Sequence, residues 1–389
     1  MGEQLRTWAA AQHIDETDDR AACRAWVSAL GQGGWLRYCV PEAFGGALPA
    51  LDSRCLVVLR ETLAYHSPLA DFAFAMQGLG SGCITLCDNA ELQAKYLPKV
   101  ATGEWIAAFA LSEPDAGSDV SAMQTVAKKL MNTETDGSND AKNVFSGTQW
   151  MLEGSKTWIS NGGMADFYTV FAKTEPNAGA RGITAFVVDA ASPGLDDSEH
   201  IHVMAPHPLA TLNFNHCAVD DTQRLSDENQ GFKLAMRTLD IFRASVAAAA
   251  LGMGRRALAE ATSYAQTRRM FGGTLADQQL TQAKLGEMAA LLEAGAQLTY
   301  RAAWLRDKAS TDLGALAAYP AAAAMAKLVA TENASRVVDM AVQMHGGRGV
   351  QVGQVVEHLY RDIRSLRIYE GASEVQQLII GKAVLKGAA

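Results

Sequence analysis

The chain predicts an α+β protein in three consecutive parts: a helical domain, a small β-barrel or sandwich, and a helical bundle. Three observations carry that reading. Residues 1–107 show apolar positions recurring at three and four, as in Leu51–His66, interrupted by breaks such as Pro41–Gly46. From 108 to 222 the texture changes to short β-rich runs: Trp105–Leu111, Trp150–Leu152, Thr157–Ser160, Phe167–Lys173, Gly182–Val188 and Leu212–Val219. Turn clusters at Asn161–Gly163 and Pro176–Gly179 separate them, which suits a barrel or sandwich. From 223 to 389 the helical period returns in long, partly Ala-rich stretches, Val246–Gln266, Leu275–Arg306 and Leu313–Met344. Long helices joined by short turns predict an antiparallel bundle. The polar stretch Met131–Gly147 reads as an exposed loop or hairpin extension.

Composition narrows the function classes. A chain of 389 residues has room for a large core and two or three domains. Its net charge of −8 argues against non-specific attraction to nucleic acid or an anionic membrane. Short basic groups at Arg268–Arg269 and Arg361/Arg364/Arg367 either bind phosphates or pair with helix carboxylates, the commoner outcome. Six cysteines, at 23, 39, 55, 83, 87 and 217, form no C-x-x-C and suit reduced thiols. Cys83 and Cys87 share a helical face, but no histidine stands at zinc spacing, so no metal site is expected. The N-terminus lacks a signal-peptide core, and no apolar run is expected to reach membrane-spanning length. A soluble, cytoplasmic protein is therefore expected.

The most informative stretch is Arg364–Gln376. A helical run stops at Tyr369–Glu370–Gly371, and Ser373 with Gln376 has the S-x-x-Q spacing of a capping box. Glu370 is thus expected in a tight connection where Gly371 permits unusual backbone angles, ahead of a helix N-terminus. A carboxyl held between apolar neighbours at such a break is a candidate general base, because burial raises its pKa. A surface glutamate at a helix turn is the alternative.

Two further segments invite a cofactor reading. Gly252-Met-Gly254-Arg-Arg-Ala257 fits G-x-G-x-x-G/A, but it lies inside a helical pattern rather than after a strand, so close helix packing is the better account. In Phe109–Asp119 a β run leads into a Ser/Gly loop able to grip a polar ring system. In Gly154–Asn161, Trp158 and Ser160 would point to one face of a strand, an aromatic plate beside a hydrogen-bond donor that suits a flavin. A buried core tryptophan is the alternative.

Taken together, Pro41-E-A-F-G-G46, Tyr96-L-P98 with Gly103-E104, Ala110-L-S-E-P-D-A-G-S-D119, Gly154-S-K-T-W-I-S-N161, Tyr264-A-Q-T-R-R-M-F-G272 with Gln279, Gln343-M-H-G-G347, and Tyr360-R-D362 leading to Ile368-Y-E-G-A-S373 resemble the acyl-CoA dehydrogenases along essentially the whole chain. The resemblance implies an N-terminal helical domain, a central β-barrel and a C-terminal four-helix bundle. It implies FAD as cofactor, an acyl-CoA substrate, an electron-transferring flavoprotein as acceptor, and a homo-oligomer, a dimer at least and usually a tetramer, in fatty acid metabolism. Glu370 aligns with the catalytic base, taking the α-proton while the flavin accepts the β-hydride. Leu111, Ser112, Gly117, Ser118, Trp158, Ile159, Ser160, Ala372 and Glu374 align with cofactor positions. Arg268, Phe271, Gln279, Gln343, Gly346 and Gly347 match residues that reach the FAD of a neighbouring subunit. Ser118, Asp240, Arg243, Tyr369 and Gly371 fall near the acyl-CoA.

In a minority branch the base sits on the earlier helix, at the position of Phe242, which leaves Glu370 as the base candidate. Departures also occur. Ala372 stands where the family usually has Thr, Asp220–Asp221 replaces Val-Pro, and His200–Leu209 lacks the usual arginine. They point to a divergent member, so an oxygen-reducing oxidase and a dehydrogenase of carrier-protein-bound acyl groups stand as alternatives. A desulfinase would not need the base, and a nucleic-acid-associated role would need a basic groove that a chain at −8 does not offer.

Overall fold

The computed structural model describes residues 1–130 and 149–387, so the expected loop at 131–147 lies outside the described residues. Five helices come first: α1 (Gly2–Ala10), α2 (Asp19–Gln32), α3 (Ser53–His66), α4 (Pro68–Leu86) and α5 (Ala90–Thr102). Their starts follow from side-chain caps. Asp18, Asp52, Ser67 and Asn89 each accept from backbone N–H groups at the first turn of α2, α3, α4 and α5. Pro68 at the first position of α4 sacrifices no intrahelical bond there.

Seven strands then form one curled mixed sheet: β1 (Ala107–Ala110), β2 (Val126–Leu130), β3 (Gln149–Ser160), β4 (Phe167–Lys173), β5 (Ile183–Asp189), β6 (Leu195–Ile201) and β7 (Leu209–Asp220). β1 and β2 lie end to end along one edge of β4, through Ala107↔Phe167 and Val126↔Lys173, while β5 pairs its other edge. Two of these strands were not expected. β2 is short with a basic end, and β6 (LDDSEHI) pairs only β7 and is exposed over most of its length. Conversely, the expected runs Trp150–Leu152 and Thr157–Ser160 are one strand, interrupted by register shifts at Leu152/Gly154 and Lys156/Ile159. The Asp220–Asp221 departure caps a short 3-10 turn. Asp220 accepts from the Thr222 N–H, and Asp221 accepts from Trp150 Nε1 at 2.7 Å and pairs with Arg224 at 2.8 Å.

The remainder is helical: α6 (Gly231–Thr267), a hairpin of β8 (Arg269–Met270) and β9 (Gly273–Thr274), α7 (Gln279–Lys308), α8 (Leu313–His345), α9 (Val355–Ile363) and α10 (Ser373–Leu385). α6, α7 and α8 pack on one another and on α3 around an Ala-rich core. The G-x-G-x-x-A segment lies in mid-α6 and serves packing. A Cβ on Gly252 would lie 2.2 Å from the Glu61 carbonyl oxygen of α3, and one on Gly254 would lie 2.5 Å from Leu292 of α7. One expectation needs correcting. Pro68–Leu86 and Leu313–Val350 do reach spanning length, with mean hydropathy 1.2 and 1.5. The alanines that let helices approach closely also raise hydropathy, and 89% of the α4 window is buried inside the protein.

The close α3–α6 approach makes a direct prediction. Gly252→Ala should cost about 1–3 kcal/mol as the helices are forced apart. Gly286→Ala in α7, where a Cβ meets nothing, should gain about 0.5–1 kcal/mol. Urea unfolding of both variants checks this; equal stabilities would contradict it.

Candidate functional site

Glu370 sits between the end of a 3-10 turn (Arg364–Arg367) and α10. Both Glu370 (φ 52°) and Gly371 (φ 93°) are left-handed. Gly371 is needed on two counts, since a Cβ there would also lie 2.4 Å from Gln376 Nε2. A left-handed glutamate is strained by about 1–3 kcal/mol, so surrounding contacts must hold it. The expected capping box does not form. Ala372 is the N-cap and caps nothing through its side chain; the Ser373 hydroxyl donates to Glu332 Oε1 at 2.5 Å, and Gln376 Nε2 donates to the Gly371 carbonyl at 2.8 Å. Tertiary partners outcompete the local ones.

The Glu370 carboxyl points inward. Its Oε2 is closed off from solvent and has no hydrogen-bond partner among the described residues. Burial raises its pKa above the ordinary glutamate value, with Asp71 adding to the rise, while Arg60, Lys327 and Arg243 pull it back. Arg60 of α3 lies in a fully buried network, Nε and Nη2 on the Asp71 carboxylate of α4 at 2.8 Å each, and Nη1 on Ser245 Oγ of α6 at 2.9 Å. Arg243 bonds Asp240 one turn back on α6, and its own buried Nε is unpartnered. Tyr369 is half-buried, and burial raises its phenol pKa. Phe242 carries no titratable group and fills a notch in α4, its ring 2.6 Å from where a Cβ on Gly78 would lie. Arg60, Asp71, Lys327 and Glu332 escaped the sequence reading. A lone charge in an apolar helical stripe was the available signal.

The sheet carries a second group of candidates. Trp158 is left-handed (φ 58°) at the β3 register shift and its ring is 57% exposed, so the buried-core alternative fails. Ser160 is half-buried, whereas the Ile159 side chain points into the core and its carbonyl accepts from the Gly162 N–H at 2.9 Å. Leu111 and Ser112 follow β1 and lie beside this strand, Ser112 O accepting from Thr157 N at 3.0 Å. Gly117 and Ser118 are exposed, and a Cβ on Gly117 would meet nothing. The loop is anchored by Glu113, which accepts from the Thr125 N–H at 3.0 Å and from buried Lys156 Nζ at 2.7 Å. Burial opposes its ionisation, but Lys156 and the N–H donors hold its carboxyl below the usual value.

The remaining candidates form a separate group at the far end of α6 and α8. Arg268, Phe271, Gln279, Gln343, Gly346 and Gly347 are all exposed. Stacking of Tyr264 on His345, ring centres 4.4 Å apart, joins the α6 end carrying Arg268 to the α8 end carrying Gln343–Gly347. From Lys327, which bonds the Glu370 turn, to Gln343 the helix runs about 24 Å. The structure therefore does not bring this group to Glu370 within one chain. Glu374, in the first turn of α10, points away into solvent. Of the basic groups, Arg361 pairs with Glu357 and Arg367 with Glu332.

Comparisons with known proteins bear on this geometry. Family models described as acyl-CoA dehydrogenase N-terminal, middle and C-terminal domains match residues 3–104, 108–217 and 229–385. The chain is 35% identical over 360 residues to the CarC subunit of the caffeyl-CoA reductase–Etf complex of Acetobacterium woodii, covering 92% of this chain and 88% of that one. It superposes on butyryl-CoA dehydrogenase from Megasphaera elsdenii with a TM-score of 0.85 at 30% identity, covering 99% and 97% of the two chains. An acyl-CoA dehydrogenase complexed with FAD from Bacillus anthracis gives 0.88 at 28% identity, covering 100% of this chain and 66% of that one.

A carboxyl forced towards its neutral form in the fold makes stability fall as pH rises. Below about pH 4.3, the ordinary glutamate value, folded and unfolded states both hold the proton. Above it the unfolded state ionises first, and the folded state is penalised. Glu370→Gln should therefore match the wild type in acid and exceed its thermal stability near neutral pH. Melting curves from pH 4 to 8 with no pH-dependent difference would contradict this.

Proposed function

The chain belongs to the acyl-CoA dehydrogenase family, and we propose on that premise that it removes two hydrogens from the Cα–Cβ bond of an acyl-CoA thioester, leaving the trans-2-enoyl-CoA, with Glu370 as the α-proton base and FAD as cofactor. The observation that carries this reading is the half-buried Glu370, whose Oε2 is closed to solvent, unpartnered among the described residues and subject to the charges of Arg60, Lys327 and Arg243. A saturated carbon next to a thioester offers no acidic proton to a carboxylate left in water. A desolvated base narrows the pKa gap to the α-carbon. The carbonyl needs a donor, and nothing among the described residues accepts from the Glu370 backbone N–H, which fits that task.

The residues present fit FAD. Trp158 offers an exposed aromatic side chain two residues before Ser160, and the Ser112–Ser118 loop contains the open Gly117. FAD supplies a hydride acceptor for the β-hydrogen when bound. Glu370 takes and holds the α-proton, Ser160 orients by donating a hydrogen bond, and the apolar walls exclude water. The exposed group of Arg268, Phe271, Gln279 and Gln343–Gly347 fits a role at a neighbouring subunit's cofactor, which makes a homo-oligomer, a dimer of dimers, the working assembly. Exposed Phe271 (86%) and Leu280 (85%) support that. The Etf-complex relative supports an electron-transferring flavoprotein as the acceptor. Relatives are named both as a reductase and as a dehydrogenase, and a base facing a hydride acceptor serves either direction. Free cysteines suit a cytoplasmic setting.

Anaerobic mixing with a panel of short, medium, branched and aromatic acyl-CoAs should bleach the flavin for at least one class. Glu370→Gln should retain FAD and fold yet lose at least about a hundredfold in bleaching rate. Normal turnover by that variant would show that another base operates, and peroxide release during turnover would favour the oxidase reading. Arg268→Ala should weaken FAD retention and the oligomer together; a fully flavinylated, intact oligomer would contradict a shared site.

A further inference from the structure

α8 presents two charged side chains to the turn that carries Glu370. Glu332 takes both flanks. Its Oε2 lies 2.7 Å from Arg367 Nη2, before the turn, and its Oε1 accepts from the Ser373 hydroxyl, after it. Lys327 takes the middle, its Nζ donating to the Gly371 carbonyl at 2.8 Å. That oxygen also accepts from Gln376 Nε2 at 2.8 Å. Lys327 is completely buried, on a helix face shared with Ala323, Ala324, Ala330 and Ala334.

A buried ammonium in such a core is costly unless something compensates it. Burial pushes the Lys327 pKa down to about 8. The charged groups around Glu370 come from four helices: Arg60 of α3, Asp71 of α4, Arg243 of α6 and Lys327 of α8. Those around Lys327 are Glu370, Arg243, Glu332 and Glu374. Arg60 is already matched by Asp71 at 2.8 Å and Arg243 by Asp240. Among the described residues Lys327 has no carboxylate within 4.0 Å, so its charge remains uncommitted.

We propose that Lys327 is a positioning residue for Glu370: its ammonium pins the left-handed turn through the Gly371 carbonyl and places an uncommitted positive charge close to the Glu370 carboxyl. The inference rests on Glu370 acting as base. Glu332 holds the flanks of the turn, and Lys327 both holds its centre and adds its field to those of Arg60 and Arg243. A carboxyl desolvated without that field would keep its proton and could not take one from the substrate.

The test is an infrared titration of the Glu370 carboxyl in the flavin-loaded protein, its band assigned by its loss in Glu370→Gln. Lys327→Met and Lys327→Gln should raise the titration midpoint by about one unit, a tenfold change in proton affinity. The acid limb of the flavin-bleaching rate should move up with it, and Lys327→Arg should restore both towards wild type. Glu332→Gln, which loosens the flanks but keeps the cation, should slow bleaching without raising the midpoint. Should Lys327→Met fail to fold, Lys327→Gln keeps a donor for the Gly371 carbonyl and carries the same test. A midpoint unmoved in the neutral variants overturns the proposal. If the wild type bleaches with no acyl-CoA, the base reading falls, while the infrared midpoint still decides whether Lys327 governs this carboxyl.

Discussion

The conflict between burying the Glu370 carboxyl and letting it ionise governs the rest of this site. An isolated carboxylate taken from water into an apolar interior would cost tens of kcal/mol and would simply stay protonated. Here desolvation wins on balance, since the pKa is raised, but Arg60, Lys327 and Arg243 oppose it from three helices. A base for a weakly acidic α-carbon needs that intermediate condition. Full exposure would leave it too weak a base, and full burial without cations would leave it permanently neutral.

That condition explains several costly features at once. The Arg60–Asp71 pair ties α3, α4 and α6 together beneath the carboxyl, and its burial is tolerable because every contact is short and bidentate or hydrogen-bonded. In the sheet, buried Lys156 and Glu113 do the same, joining the loop after β1 to β3. Strained backbone marks several of the candidates as well. Six non-glycine residues among those described have positive φ, and Trp158, Phe271 and Glu370 are all site candidates. Glu370 is held against its own preference by the contacts of Lys327 and Glu332 with its turn.

The legibility of the sequence followed the range of the interactions. Period and turn chemistry are local, so the helical–β–helical order, the long C-terminal helices and the break at Glu370–Gly371 could be read directly. The G-x-G-x-x-A stretch was correctly assigned to packing because its helical surroundings were also local. The polar edge strand β6 carried no apolar alternation and was missed. The Ser373/Gln376 pair had the spacing of a capping box, but Glu332 and the Gly371 carbonyl took its hydrogen bonds. Lys327 and Arg60 were invisible as site residues for the same reason. Their burial is implied by an apolar stripe, but their partners lie on other helices. The family resemblance supplied roles for Arg268 and Gln343 that one chain alone cannot assemble, because they lie far along α6 and α8 from Glu370.

The most direct test is a single-turnover comparison of α-deuterated and unlabelled saturated acyl-CoA at saturating concentration, following flavin absorbance as pH is varied. If Glu370 takes the α-proton from inside its cation-ringed cavity, deuterium slows the reaction. The rate should also climb with pH to a plateau as that one carboxyl ionises. A rate indifferent both to α-deuteration and to pH would contradict the account.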